Sequence, residues 1–445
     1  MDFDAAVAYL LEHANYDRTG RIEHPTLERM ERLCEAMGDP QHAAPVIHIT
    51  GTNGKGSTSQ IITRLLMAQG LSVGTYTSPH LERLNERICR NAEPISDEEL
   101  AEQVSALAEL EGLIGVRPSF FELVTAAAYR WFADVAVDVT VIEVGLLGRW
   151  DATNVADGQV VVATNVGADH LEYAGPTLAD VAREKAGVVK PGSTLVLGET
   201  DADLAAVFHA AGAAVVHERD VDFECTRNEL ALGGRLLDLR TPRAEYHEVF
   251  LPLHGRHQGQ NAVCALMAVE DFFDAALDHE VVDEAFAAVR WPGRFEVLGH
   301  QPLVIVDGAH NPQGADACAE VMADDFDPAG RRLLVVGLLK GKDPTEMLSA
   351  LRADEAPGGV LHPRLAPRRT GQRDLARRPR AGVRRGRRGP VGHAGVRHRT
   401  GPCRGRRRHP GDRLAVRGGR GAPALDQGAA VATAAGGGVR GRPLT

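Results

Sequence analysis

The sequence predicts an α/β protein. Its first part reads as a P-loop α/β domain on a mostly parallel sheet, and its second as a smaller, incomplete Rossmann-like α/β domain. Three observations carry this. Apolar runs of strand length alternate with helix-length segments through residues 1–359, the pattern of a buried parallel sheet covered by helices. A glycine-rich turn joins one of those strands to a helix at 47–58. The charge then changes sign: residues 1–359 hold 28 Lys+Arg against 57 Asp+Glu, whereas 360–445 hold 22 against 3.

The expected strands are PVIHIT (45–50), VDVTVIEVG (137–145), VVVATNVG (160–167), PLVIVDG (302–308) and RLLVVGLL (332–339). Between them, GSTSQIITRLLMAQG (56–70) and SDEELAEQVSALAELEG (96–112) read as helices. Ser96 followed by Glu99 forms a capping-box signature. A boundary is expected after WPGRFEVLGHQ (291–301), giving an N-terminal ATP-binding domain (1–297), the start of a second domain (298–359) and a tail (360–445).

Length and composition exclude several classes. At 445 residues and 44% hydrophobic the chain exceeds one compact domain and is not wholly disordered. No apolar run approaches a membrane span, and MDFDAAVAYLLEHA lacks the basic start of a secretory signal. The six cysteines are scattered without a CxxC pair, so a reducing cytoplasm is expected, with no disulfide framework.

The chemistry is densest at IHITGTNGKGST (47–58). Backbone amides of Gly51, Thr52, Asn53, Gly54, Lys55 and Gly56 are placed to cradle phosphates at a helix start. Lys55 would reach the terminal phosphates, and Ser57 or Thr58 would face magnesium. The loop is a variant: Ile49 stands where the usual pattern has its first glycine, and Gly56 follows the lysine. Glu143 closes an apolar strand, where open α/β sheets present ligand-facing carboxylates. On sequence alone, His170 also reads as a structural histidine, Lys185 as a solvated lysine, and Asp307 as turn chemistry.

These segments resemble, in order, the folylpolyglutamate synthase/dihydrofolate synthase family of the Mur-ligase superfamily. The matching stretches are GTNGKGS, TSPHLERLNERI (77–88), VIEVGLLGRWDATN (141–154), TNVGADHLEYAGPTLADVAREKAGVVKPG (164–192), HQGQNA (257–262), WPGRFE (291–296) and VDGAHNPQG (306–314). The resemblance implies ATP-dependent ligation of L-glutamate to a folate or dihydropteroate carboxylate through an acyl phosphate. It implies two Mg²⁺ ions held by Ser57, Ser78, Glu143 and His170, and a carbamylated Lys185. It also implies nucleotide contacts from Asn261, Arg294, Asp307 and His310, with a pteroate side at Ser119, Phe121 and Asp151. The expected partners are these small molecules alone, with no nucleic acid and no membrane, and the expected state is a monomer. Leu147 departs from the small residue that the family carries after EVGL. Two rival readings are a Mur-type ligase of cell-wall synthesis and a nucleic-acid-binding protein using the basic tail.

The tail has 22 Arg and 17 Gly but no Lys, Glu, Ser, Asn, Ile, Met, Phe, Tyr or Trp. It reads as an out-of-frame translation of GC-rich DNA, without a packed core. HPRLAPRRTG (362–371) can be encoded so that a one-base shift gives TPASPRAAPA. HPGDRLAVRGGRGA (409–422) gives ILVTGSLYVVGEAR in the same frame. Both resemble C-terminal segments of the family, which puts the break near 353–361 and implies a chain that is weakly stable or inactive as it stands.

Overall fold

The strand before the glycine-rich turn, β1 (Val46–Thr50), is buried along its whole length at the centre of an eight-stranded sheet. The computed structural model describes residues 1–15, 25–326, 331–338, 343–353, 359–361 and 430–436. The other strands of that sheet are β2 (Val73–Tyr76), β3 (Ile88–Arg90), β4 (Glu93–Pro94), β5 (Val139–Glu143), β6 (Gly158–Ala163), β7 (Thr194–Leu197) and β8 (Val215–Glu218). Their order is β4-β3-β2-β5-β1-β6-β7-β8. Every contact from β2 across to β8 is parallel, and only β3 and β4 run against their neighbours.

Both faces of the sheet are covered, which is why its strands are continuously apolar. On one face lie the helices Lys55–Ala68 and His257–Phe273, which share a core with Ile47, Ile49, Val141 and Val162. Both are buried nearly all round, with polar Ser57, Thr58, Ser59, Gln60 and Thr63 buried along with the apolar residues. On the other face pack Phe3–Leu11, Glu28–Met37, Asp97–Ile114 and Phe120–Asp134. The expected helix at 96–112 is Asp97–Ile114, and Ser96 and Glu99 close the capping box. An antiparallel meander follows, made of β9 (Glu224–Ala231), β10 (Gly234–Arg240) and β11 (Glu245–Leu251).

A second sheet has the order β12-β13-β16-β14-β15, with β12 (Glu296–His300), β13 (Leu303–Asp307), β14 (Arg331–Gly337), β15 (Gly359–Leu361) and β16 (Ala430–Gly436). β13 and β14 point the same way, as a Rossmann-like unit requires, but antiparallel β16 lies between them. Of 360–445, the described residues are 360–361, at the end of β15, and Ala430–Gly436, which is β16. AVATAAG lies within an arginine-free stretch of the tail (421–439) and carries β-branched Val431 and Thr433, so it suits a strand. The rest of the tail, from residue 362, lies outside the described residues. Among the described residues no helix is long and apolar enough to cross a membrane.

Candidate active site

Parallel strands deliver their C-terminal ends to one edge of the sheet, and ligands collect in that crevice. Here β1, β5 and β6 bring three loops together: 51–54, 144–151 and 164–170.

The 51–54 loop is tied down by the loop beside it. Thr52 N donates to Asn165 O (3.0 Å) and Asn53 N to Asn165 Oδ1 (3.0 Å). Thr164 Oγ1 and Asn165 Nδ2 both donate to Asn53 O, at 2.7 and 3.0 Å. Gly54 is the N-cap of the Lys55–Ala68 helix at φ +85°, and a Cβ there would strike Asn261. A Cβ on Gly56 would come within 2.7 Å of the Trp291 ring. The variant glycine after the lysine therefore makes room for a tryptophan. Lys55 Nζ lies over its own loop, 3.0 Å from Gly51 O and 3.2 Å from Thr52 O. Ser57 and Thr58 are buried at the helix start.

Glu143, at the end of β5, is buried and accepts from Ser78 N at 3.2 Å. Burial pushes its carboxyl up against the pull of Lys55. Lys185 is also buried. Burial and the nearby Lys55 push its amine well below the ordinary lysine value, and Asp169 opposes them. The solvated-lysine alternative thus does not describe Lys185. His170 sits at φ +56° with Nε2 3.6 Å from Asp169 Oδ2. Among the described residues no three His, Cys, Asp or Glu side chains cluster as a metal site. The expected magnesium set is of another kind, mixing hydroxyls with one carboxylate and one histidine.

The second sheet supplies the facing wall. Asn311 caps the Pro312–Val321 helix, and its Nδ2 donates to Asn53 Oδ1 (3.0 Å) and Asp169 Oδ2 (3.3 Å). Asn53 Nδ2 donates to Gln313 Oε1 at 2.9 Å. His310 Nδ1 donates to Gly308 O (3.0 Å), and Nε2 stands 3.8 Å from Asp169. Burial lowers this histidine's pKa. Asp307 spends both oxygens on backbone, accepting from Phe295 N (2.8 Å) and Ala309 N (2.7 Å). It therefore does the turn chemistry that its place before a glycine also allowed. Arg294 lies against Gly308.

The acceptor-side residues are placed differently. Ser119 Oγ caps the Phe120–Asp134 helix, and Glu122 completes the box while pairing with Arg29 at 3.0 Å. Asp151 is buried and accepts from Leu146 N (2.8 Å), Thr153 N (3.0 Å) and Thr153 Oγ1 (2.6 Å). Because that hydroxyl donates to Asp151, it accepts from His48 Nε2–H at 2.9 Å. His48 is fully buried in β1, and burial, then Lys190, holds its pKa down at about 3. Phe121 packs on Gly145 and lies 6.0 Å from the Tyr76 ring. Ser119 and Asp151 thus order the segments they lie in.

Asn165, Trp291, Asn311 and Gln313 hold the site together, although sequence reasoning did not single them out. A signal existed: each lies within a quoted motif, and Asn165 comes two residues after the buried strand β6.

Comparison with known proteins decides the family. Residues 118–269 match the Mur ligase middle domain, and 293–377 match the Mur ligase, glutamate ligase domain. The dihydrofolate synthase/folylpolyglutamate synthase of Mycobacterium tuberculosis is 40% identical over 74% of this chain and 72% of its own. The chain belongs to the folylpolyglutamate synthase/dihydrofolate synthase family. The Bacillus subtilis member is 37% identical over 74% of this chain and 78% of its own. The M. tuberculosis folylpolyglutamate synthase structure with ADP and AMPPCP has a TM-score of 0.74 at 38% identity. It covers 81% of this chain and 83% of that one. An FPGS–AMPPCP–folate complex has a TM-score of 0.73 at 33% identity, over 79% and 87%. This chain is accordingly an ATP-dependent ligase of the Mur ligase family.

Proposed function

We propose that this chain joins L-glutamate to the carboxylate of a folate or dihydropteroate acceptor. One observation carries the reading. A phosphate-type loop is bonded through Asn53 to Asn311 and Gln313 at the start of a helix in the glutamate ligase domain. A nucleotide on the loop would therefore lie beside a second-domain wall.

The γ-phosphoryl group passes to an acceptor carboxylate oxygen, giving an acyl phosphate and ADP. The glutamate amine attacks that carbonyl, the tetrahedral intermediate expels phosphate, and the amine's proton leaves. Lys55 neutralises charge on the transferring group, and the amides of 51–57 orient the phosphates. Asn261 and Arg294 flank the nucleotide, and Asp307 shapes the turn that carries His310. The hard oxygen donors at Ser57, Ser78 and Glu143, with His170, fit Mg²⁺, and Glu143 is a buried carboxylate that favours a cation beside it. Bound there, Mg²⁺ would supply charge neutralisation at the phosphates. Lys185, with its amine held toward the neutral form, suits carbamylation into a carboxylate-like ligand. The acyl phosphate must be kept from water, so the two domains close around it.

We read 1–297 and 298–359 as the two catalytic units, acting as a monomer in a reducing cytoplasm. We read 360–445 as largely out of frame. Resequencing codons 350–365 decides the last point, and an intact frame there would overturn it. The function is tested by ADP release with ATP, L-glutamate and either dihydropteroate or tetrahydrofolate, using the chain and its frame-restored form. Glutamate-dependent ADP release with either acceptor is the expected result. Release with a cell-wall precursor alone would favour a Mur-type ligase instead.

A further inference from the structure

The two matched domains meet a second time, away from the nucleotide loop. Arg235, on β10, lies within the middle-domain match, and Asp325 lies within the glutamate-ligase match. Arg235 Nη1 donates to Asp325 Oδ1 at 2.9 Å, with the two side chains only 4% and 1% exposed. Arg235 Nε and Nη2 are held by Asn228 Oδ1 and O, each at 2.8 Å. Gly255 N donates to Asp325 Oδ2 at 2.9 Å, and His254 Nδ1 stands 3.7 Å from the same oxygen. The His254 ring packs 4.7 Å from Phe326 and 6.3 Å from Phe295. The local backbone is a π-helical turn, Met322–Phe326, a distortion frequent at functional places in helices. Its neighbour Asp324 lies 3.5 Å from Arg256.

The two interdomain contacts differ in what breaking them costs. On the nucleotide side Asn311 and His310 also reach Asp169, at 3.3 and 3.8 Å, but Asp169 keeps the His170 amide at 3.1 Å when they leave. Asn53 meets Asn311 and Gln313 through neutral amides, and its bond to Gln313 is exposed. Such bonds exchange readily for water. Separating Arg235 from Asp325 would strand two buried charges. Gly255 also stands two residues before the His257–Phe273 helix, whose Asn261 abuts Gly54 of the nucleotide loop.

We propose that the Arg235–Asp325 pair is the fixed pivot between the two domains, and that Asp325 is a positioning residue for the nucleotide loop. Opening parts Asn53 from Asn311 and Gln313, and Asp169 from Asn311, while Arg235, Asp325 and Gly255 stay joined. Asp325 acts on the loop through Gly255 and the helix that carries Asn261. The proposal rests on the domain closure given above, but its test needs no turnover, so the two can fail separately.

The test uses the full chain with two pairs of spin labels. One pair, at exposed Leu232 and Leu298, spans the pivot. The other, at exposed Glu172 and at Asp316, spans the nucleotide side. ADP should shift and narrow the second distance distribution and leave the first unchanged. Asp325→Asn should broaden the first distribution, speed hydrogen exchange at the Gly255 amide and weaken ADP binding about tenfold, as loss of one charge-assisted bond predicts. Protection of β1 should persist in that variant. Arg235→Lys, which keeps the charge, should retain most ADP affinity. Movement of the Leu232–Leu298 distance with ADP in the parent chain would overturn the pivot. Unchanged ADP affinity in Asp325→Asn would overturn the positioning role. If Asp325→Asn does not fold, the parent-chain distances and Arg235→Lys decide.

Discussion

The nucleotide side and the acceptor side of this site use polar residues in opposite ways. On the nucleotide side, side chains reach between loops: Asn165 holds Asn53, and Asn53 in turn meets Asn311 and Gln313. Two groups there, Glu143 and Lys185, are buried with their ionised forms disfavoured. On the side proposed for the acceptor, Ser119 caps its own helix, and Asp151, whose carboxyl burial also pushes up, accepts three bonds from its own segment. Burial that several local bonds offset, as at Asp151, marks scaffold, whereas Glu143, with the Ser78 amide set against its burial, is placed for a charged partner. The first side should therefore fail in chemistry when mutated, and the second in stability.

The largest effects belong to the nucleotide side. Glu143→Gln and Lys185→Ala should each lower ADP production by about 10²–10³-fold or more, the usual scale for removing a charge-stabilising group. The urea midpoint should stay close to the parent's. His170→Ala should follow the same pattern. Acetate or formate should partly restore Lys185→Ala by replacing the missing carboxylate-like ligand. Near-normal turnover in Glu143→Gln would erase the distinction between the two sides.

Asp151→Asn reverses the expectation. An amide NH₂ would face the amides that Asp151 now accepts from, at a cost of about 1–3 kcal/mol in unfolding free energy. If Asp151 instead touches the acceptor directly, KM for the acceptor rises while the urea midpoint holds. Measuring both in one variant sharpens the comparison.

His48 gives the acceptor side a pH signature. Its folded pKa of about 3 lies below the ordinary value of about 6.5. Between those values the unfolded chain binds a proton that the folded chain refuses, so this contribution to stability falls as pH falls. From pH 7 to pH 4 the loss should be about 3 kcal/mol. His48→Asn keeps a donor for Thr153 and should remove that slope. Urea unfolding at the two pH values, compared between parent and variant, measures it. Equal slopes would mean that His48 titrates normally in the fold.

How much of this was readable in the sequence depended on how local each signal was. The strand–turn–helix at 46–68 and the Ser96–Glu99 cap are written within a few residues, and both were legible. The turn role of Asp307 is equally local, set by the glycine that follows it. Asn165 with Asn53, His48 with Thr153, and Arg235 with Asp325 join positions 112, 105 and 90 apart. No periodicity connects such pairs; only the topology of the sheets brings them together.

The smallest effect concerns Leu147, a bulky residue held in the left-handed region. Leu147 sits at φ +58°, in the left-handed region, and its carbonyl accepts from Thr50 Oγ1 at 2.8 Å. The bond ties the acceptor loop to the strand before the nucleotide loop, so the backbone cannot relax without losing it. A leucine in that region carries about 1–2 kcal/mol of strain that a glycine avoids. Against this, Leu147 is buried beside Val188 and Val189 in one core, and deleting its side chain sacrifices about 1.5–3 kcal/mol of burial. The two terms nearly cancel, so Leu147→Gly should change unfolding free energy by about 1 kcal/mol or less. Leu147→Ala retains most of the strain and loses most of the burial, and should be the less stable of the two. Urea unfolding of both variants tests the order. If alanine proves the better replacement, backbone strain is not what sets this position apart, and the tie between the two sides of the site lies in side-chain packing instead.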